Sequence, residues 1–148
     1  MLMRHGDYGY GMGLSARGEN QSDNIAKQLA ENNLIPDVIV HSPVKRAVQT
    51  AQRVHDVFNR IAGKDVPMVE REWLADGNYS SVKNVATLDD TQELVLAVSH
   101  MPNIESLNES LTGDYSSPGN CQTYVVETQA EHWKDVRKGS ILAIFQPS

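Results

Sequence analysis

Residues 94–100 read Leu-Val-Leu-Ala-Val-Ser-His, an apolar run that ends in two polar side chains. A short run of aliphatic and β-branched residues is typical of a strand that is buried on both faces of a sheet. The sequence therefore predicts a strand over Leu94–Val98. This strand delivers Ser99 and His100 at its carboxyl end.

Two other apolar runs end in the same way. Met1–Met3 leads into Arg4-His5-Gly6, and Val38–Val40 leads into a segment that begins with Ser42-Pro43. Further strands are predicted over residues 66–69, 123–128 and 140–145. Apolar residues at helical spacing predict helices over residues 15–32, 42–63, 82–88 and 102–111.

Start and stop signals support these helices. Ser15 is a predicted N-cap, and Ser42 is a second one, with Pro43 at the first helical position. Gly63 and Gly113 are predicted stops. Strands that alternate with helices indicate an α/β fold, a three-layer α/β/α sandwich with a mostly parallel central sheet. The chain shows no linker or repeat, so we expect one domain over residues 1–148.

Composition excludes several classes of function. The 148 residues carry 13 basic and 19 acidic side chains, a formal net charge of −6, so we expect no nucleic-acid or membrane partner. No apolar run approaches the roughly 20 residues of a membrane span, and the N-terminus lacks a signal-peptide pattern. Cys121 is the single cysteine, which rules out an internal disulfide and favours a cytoplasmic location.

The predicted strand ends bring together residues that suit phosphate chemistry. Ligands of parallel sheets bind beyond the carboxyl ends of the strands, which here carry Arg4, His5, Arg46 and His100. Arginine donates paired hydrogen bonds to phosphate oxygens and stays charged. A neutral imidazole can attack phosphorus and form a phosphohistidine, which splits the reaction into two easier steps. The spacing alone does not divide the roles between the two histidines.

A metal site is the alternative use of the histidines. His41 completes a trio with His5 and His100 that is compatible with zinc. Two cationic arginines share the neighbourhood, however, so we predict no metal and no cofactor. His41 is then a packing residue at the end of its strand.

Three motifs together resemble a known family. Met3-Arg4-His5-Gly6, Ser42-Pro43-x-x-Arg46-Ala47-x-Gln49-Thr50-Ala51 and Ser99-His100-x-Pro102 are similar to those of the histidine phosphatase, or phosphoglycerate mutase-like, superfamily. The length and the lack of a large inserted cap resemble its short branch, the SixA-like phosphohistidine phosphatases. The resemblance implies that His5 is the phosphorylated nucleophile. It also implies that Arg4, Arg46 and His100 hold the phosphoryl oxygens.

The resemblance leaves the proton donor open and shows one departure. Family members often place an acid in the loop after the third strand, where this sequence offers Glu72 and Asp76. Short-branch members often carry an arginine shortly before the first helix, at the position of Met12. This departure makes the substrate harder to predict than the chemistry.

The sequence thus predicts a metal-independent phosphatase that acts on phosphohistidine in a signalling protein. A phosphatase for small phosphate monoesters is the alternative within the same class. A non-catalytic module that binds a phosphorylated ligand is the alternative from another class. A phosphomutase is disfavoured because it needs a larger cap to keep water from the intermediate. The sequence predicts no oligomeric state.

Overall fold

The computed structural model describes residues 1–75 and 80–148. Six strands in this part form one sheet: β1 (Leu2–Arg4), β2 (Val38–His41), β3 (Met68–Glu70), β4 (Val95–Ser99), β5 (Thr123–Thr128) and β6 (Gly139–Phe145). The helices are α1 (Ala16–Glu31), α2 (Lys45–Ala62), α3 (Val82–Val85) and α4 (Asn103–Thr112). Two 3₁₀ turns cover Glu72–Leu74 and Trp133–Asp135.

The sheet is mixed, with its parallel part at the centre. The strand order is β3-β2-β4-β1-β5-β6. Strands β3, β2, β4 and β1 run parallel, whereas β5 and β6 are antiparallel to their neighbours. The predicted α/β fold with a mostly parallel sheet is therefore confirmed.

Two hydrophobic cores lie on opposite faces of the sheet. Helices α1 and α2 cover one face, where Phe58 and Leu29 pack around Met3 and Ile39. Helix α4 covers the other face, where Leu107 lies among side chains that include Leu2 and Val40 of the sheet. Burying one such side chain contributes about 2 kcal/mol to folding. The alternation of side chains along each strand supplies both cores at once.

The predicted start of α2 is wrong. The helix begins at Lys45, and Val44 occupies the N-cap position with extended backbone and no side-chain cap. The hydroxyl of Ser42 accepts a hydrogen bond from the backbone N–H of Val44, 3.1 Å away, and this local turn delays the helix. Pro43 therefore lies before the helix rather than at its first position.

Other boundaries agree more closely. Helix α1 has Ser15 as its N-cap, as predicted, since its hydroxyl accepts from the N–H of Gly18 at 3.0 Å. Strand β3 begins two residues later than predicted, after Pro67, which has no N–H to donate to a neighbouring strand. Strands β5 and β6 agree with the predictions within one residue. Within the described ranges, no helix is long and apolar enough to cross a membrane.

Candidate active site

The carboxyl ends of β1, β2 and β4 meet at one edge of the sheet. Strand β4 lies between β2 and β1, so the segments after the three strands are neighbours. The N–H of His5 donates to the carbonyl of Ser99 at 2.9 Å, and the N–H of Ser42 donates to the carbonyl of Val98 at 3.0 Å. These backbone bonds continue the sheet by one residue on each side of β4. They bring His5 and Ser42 to the strand end that carries His100.

His5 is held in one orientation at this edge. The side chain is buried, and Nδ1 lies 2.8 Å from the carbonyl oxygen of Gly6. Because a carbonyl only accepts hydrogen bonds, Nδ1 carries the proton and Nε2 carries the lone pair. Nε–H of Arg46 donates to this Nε2 at 3.2 Å. The nucleophilic nitrogen of His5 therefore faces a guanidinium group.

The surroundings keep the His5 ring neutral. The pKa of His5 is lowered from 6.5 to about 4, and burial of the ring is the largest cause. The bond to the Gly6 carbonyl favours the charged form and opposes this shift, whereas the positive charges of Arg46, Arg4 and His100 contribute to it. At neutral pH Nε2 is therefore unprotonated, which is the form of the ring that attacks phosphorus.

Arg46 is fixed to the Arg-His-Gly segment through Thr50. Arg46 lies in the first turn of α2 and is mostly buried. The hydroxyl of Thr50 donates to the carbonyl of Arg46 at 2.8 Å and accepts from the N–H of Gly6 at 3.0 Å. One hydroxyl thus ties the start of α2 to the residue after His5. Thr50 belongs to the recognised motif, but the sequence alone did not assign it a contact.

Arg4 and His100 both lie near His5. Arg4 ends β1 opposite Ser99, and one of its terminal nitrogens donates to the carbonyl of Pro118 at 3.2 Å. Its Nε is buried and finds no hydrogen-bond partner within residues 1–75 and 80–148. The His100 ring is buried 6.4 Å from the His5 ring, measured between centroids. The structure thus brings together Arg4, His5, Arg46 and His100.

The segment that carries Glu72 is anchored to β4 and α4. Glu72 is exposed at the start of its 3₁₀ turn. The hydroxyl of Ser99 donates to the carbonyl of Leu74 at 2.6 Å, and the amide of Asn103 donates to the carbonyl of Ala75 at 3.2 Å. These bonds fix the turn beside the end of β4. Asp76, the other predicted proton donor, lies outside the described residues.

Close backbone packing shapes the loop that follows His5. A Cβ on Gly6 would lie 2.7 Å from the carbonyl oxygen of Gly18, and a Cβ on Gly18 would lie 2.0 Å from the carbonyl oxygen of Asp7. Both distances are too short for any side chain. The glycine of the Arg-His-Gly motif and Gly18 of α1 therefore allow the loop to lie directly on the helix. Nothing in the sequence pattern indicates this contact of Gly18.

The remaining candidates take no part in this cluster. His41 is buried, and its Nδ1 lies 2.9 Å from the carbonyl oxygen of Ser42. Cys121 is buried against the Ser22 hydroxyl, and burial raises the pKa of its thiol to about 12. Met12 is half exposed in the loop before α1, with a positive φ of 65°. In the part of the chain that the structure describes, no three His, Cys, Asp or Glu side chains are placed to bind a metal ion.

Sequence comparison identifies the class of protein. A family model of the histidine phosphatase superfamily (branch 1) matches residues 1–93, which is more than half of the chain. The chain therefore belongs to this superfamily, and its enzyme class is phosphatase. A comparison with curated protein sequences gives no match.

Solved structures share the fold at low sequence identity. The protein histidine phosphatase SixA complexed with tungstate has a TM-score of 0.81 and 21% identity over 99% of this chain and 95% of that chain. A SixA protein from Agrobacterium tumefaciens has a TM-score of 0.79 and 19% identity, with the same coverage. Phosphoserine phosphatase from Entamoeba histolytica, in complex with 3-phosphoglyceric acid, has a TM-score of 0.68 and 16% identity, again with the same coverage. These similarities confirm the phosphoglycerate mutase-like fold.

Proposed function

We propose that this protein is a metal-independent phosphatase that works through a phosphohistidine intermediate on His5. One observation carries the proposal: His5 is buried and neutral, with Nδ1–H on the Gly6 carbonyl and Nε2 facing Arg46. This is the protonation state that attack on phosphorus requires. Two arginines at the site also oppose the binding of a cation.

The first step transfers the phosphoryl group to the enzyme. The lone pair on Nε2 of His5 forms a bond to phosphorus while the bond from phosphorus to the leaving group breaks. The imidazole ring becomes positively charged, and the Gly6 carbonyl stabilises its Nδ1–H. Arg4, Arg46 and His100 hold the phosphoryl oxygens and stabilise the charge on them in the transition state.

The second step returns the enzyme to its starting state. Water attacks phosphorus, the bond between phosphorus and Nε2 breaks, and inorganic phosphate leaves. One carboxyl group serves both steps. It donates a proton to the leaving group in the first step, and as a carboxylate it accepts a proton from the attacking water in the second. Glu72 is our candidate because its turn is anchored beside β4, and Asp76 is the alternative. Such a proton donor contributes about 10²- to 10⁴-fold to the rate.

For the substrate, we propose phosphohistidine on a signalling protein. Tyr8, which contacts His5, is 40% exposed, so this side of the site opens to the surface. Such an opening suits a phosphoryl group carried on another protein. The fold shared with SixA, a protein histidine phosphatase, supports the same choice. We further propose that the 148 residues form one domain without a large inserted cap, and that the protein is cytoplasmic, as its lone cysteine favours.

A small phosphate monoester is the second candidate substrate. The open side of the site admits it equally well, and the fold shared with Entamoeba histolytica phosphoserine phosphatase supports it. The two candidates share the same chemistry at phosphorus. They differ in the group that leaves and in the size of the molecule that carries it.

A substrate panel with a chelator tests the proposal. The panel sets phosphohistidine proteins beside sugar, nucleotide and aryl phosphates, and each is assayed with and without chelator. We expect turnover that survives the chelator and is abolished in His5→Ala. His132→Ala, which changes an exposed histidine far from the site in the sequence, is the matched control and retains activity. Turnover that needs a metal contradicts the mechanism, and phosphate binding without any turnover favours a non-catalytic binding module.

A further inference from the structure

Tyr8 contacts both partners of the hydrogen bond at the centre of the site. Its ring meets the His5 ring edge to face, with 5.3 Å between centroids and 73° between planes. The same ring lies under the guanidinium of Arg46, whose central carbon is 5.0 Å from the ring centroid. This is the geometry of a cation–π contact. One aromatic side chain therefore touches the candidate nucleophile and the arginine that faces it.

The backbone fixes the position of this ring. Tyr8 pairs with Leu14 in an isolated antiparallel bridge. The N–H of Leu14 donates to the Gln49 side chain at 2.7 Å, and the N–H of Ser15 donates to the carbonyl of Asp7 at 3.0 Å. The loop is thus bonded to α2 through Gln49 and to the start of α1 through Ser15. These bonds hold Tyr8 over the first turn of α2, where Arg46 lies.

Catalysis changes what Arg46 can bond to. In the structure, Nε–H of Arg46 occupies the lone pair of His5 Nε2. Attack on phosphorus requires that this lone pair be released, and the guanidinium then loses one of its fixed contacts. The guanidinium lies over the Tyr8 ring, and this contact does not involve Nε2 of His5, so it persists when the hydrogen bond breaks. The persistent contact keeps the cation beside the phosphoryl group.

We propose that Tyr8 is a positioning residue, which holds the Arg46 guanidinium and the His5 ring in place during phosphoryl transfer. The proposal rests on the proposed function, because it concerns the same site and the same reaction. It assigns the role to the aromatic face of Tyr8 and not to its hydroxyl. Tyr8 lies in the loop before α1, the same loop that has Met12 where short-branch members often have an arginine. Through Tyr8 this loop contributes an aromatic contact to the site.

Substitutions at Tyr8 separate the ring from the hydroxyl. Tyr8→Leu retains apolar volume but removes the π face, and we expect kcat to fall about tenfold with a smaller change in KM. Tyr8→Phe keeps the face and retains most of the activity. Tyr10→Leu, in the same loop at a fully exposed tyrosine, is the matched control and leaves kcat unchanged. Equal losses in Tyr8→Leu and Tyr8→Phe overturn the proposal, and so does full activity in Tyr8→Leu.

An NMR titration of His5 reports on the contact without turnover. In Tyr8→Leu we expect the His5 ring to be less buried and Arg46 to be less firmly held beside it. Both changes raise the pKa of His5 from about 4 towards 6.5, whereas Tyr10→Leu leaves it in place. An unchanged His5 pKa in a folded Tyr8→Leu protein overturns the proposal. The titration also separates the positioning role of Tyr8 from the phosphohistidine mechanism, because it gives a result whether or not a phosphoenzyme forms.

A double-mutant cycle tests whether Tyr8 acts through Arg46. The activities of Tyr8→Leu, Arg46→Lys and the double variant are compared with the wild type. A lysine lacks the planar guanidinium that lies over the ring. We expect Tyr8→Leu to lower kcat about tenfold with Arg46 present but less than about threefold in the Arg46→Lys background. Equal factors in both backgrounds contradict a role through Arg46.

Discussion

The hydroxyl of Ser42 lies 3.1 Å from Nε2 of His100, so two buried side chains join the segments that follow β2 and β4. The same hydroxyl accepts the backbone N–H of Val44. Ser42 therefore fixes the His100 ring and the turn that leads into α2. Both consequences affect the candidate active site, because His100 belongs to it and Arg46 follows two residues after Val44.

Removal of the Ser42 hydroxyl is expected to impair both catalysis and folding. In Ser42→Ala the His100 ring loses a fixed partner, and we expect kcat/KM to fall about tenfold. The free energy of unfolding falls by about 2 kcal/mol, because the hydroxyl makes two hydrogen bonds worth about 1 kcal/mol each. Steady-state kinetics and urea unfolding measure the two effects. Ser140→Ala, at an exposed position of β6, changes neither; an unchanged kcat/KM in Ser42→Ala contradicts this account of His100.

The contact between α1 and the loop after His5 predicts a large effect of a small substitution. Gly18→Ala places a Cβ where the structure leaves 2.0 Å to the carbonyl oxygen of Asp7, so the loop or the helix must shift. We expect a loss of about 2 to 3 kcal/mol in the free energy of unfolding, together with reduced turnover. Gly9→Ala adds the same atom in the loop after His5, where nothing lies within 4 Å of the new Cβ, and is the control. Equal stabilities of the two variants contradict the packing.

The neutral state of His5 makes folding depend on pH. The pKa of His5 is about 4 in the folded protein and near 6.5 in the unfolded chain. As the pH falls below 6.5, the unfolded chain takes up a proton that folded His5 does not accept until about pH 4, so stability decreases over this window. The full loss is about 3 kcal/mol. Above pH 6.5 this loss of stability is absent.

Urea unfolding of the wild type and of His5→Gln isolates this contribution. Glutamine does not titrate, so the difference in stability between the two proteins should change by the stated amount across the pH window. The other titrating groups are common to both proteins and cancel in the comparison. A pH-independent difference shows that His5 keeps its ordinary pKa in the folded state, and this result contradicts the lowered pKa of the buried ring.

The dependence on the leaving group assigns the proton donor. An alkyl phosphate needs protonation of its leaving oxygen, whereas an aryl phosphate with an acidic phenol does not. We expect Glu72→Gln to slow the alkyl substrate about 100-fold and the aryl substrate only slightly. Asp76→Asn is assayed beside it. If Asp76→Asn shows the selective loss and Glu72→Gln does not, the role belongs to Asp76.

The positioning of the Glu72 turn was not accessible from the sequence. Strand and helix patterns place the turn after β3, but its final position depends on the hydroxyl of Ser99 and the amide of Asn103. These two residues lie about 25 to 30 positions further along the chain. Hydrogen bonds between residues so far apart in sequence leave no local sequence pattern. The apolar run that ends at Ser99, by contrast, predicted both a strand and the edge it reaches.

The Ser42-Pro43 segment shows where local rules fail. A hydroxyl followed by proline is a common helix start, and the sequence places the cap there. In the structure the hydroxyl is engaged by Val44 and His100, and the helix begins two residues after Pro43. The contact with His100 joins residues 58 positions apart, and it takes the place of the local cap. Likewise, nothing in the loop sequence shows that Tyr8 would lie on Arg46.

The most direct test of the central claim is to trap the phosphoenzyme during turnover. The protein is mixed with a phosphate-labelled substrate, quenched in alkali and analysed by mass spectrometry of its peptides. Phosphoryl groups on histidine nitrogen survive alkali and are lost in acid, so we expect a base-stable, acid-labile label on His5 that His5→Ala lacks. Turnover without a labelled enzyme, or a label on another residue, contradicts the account.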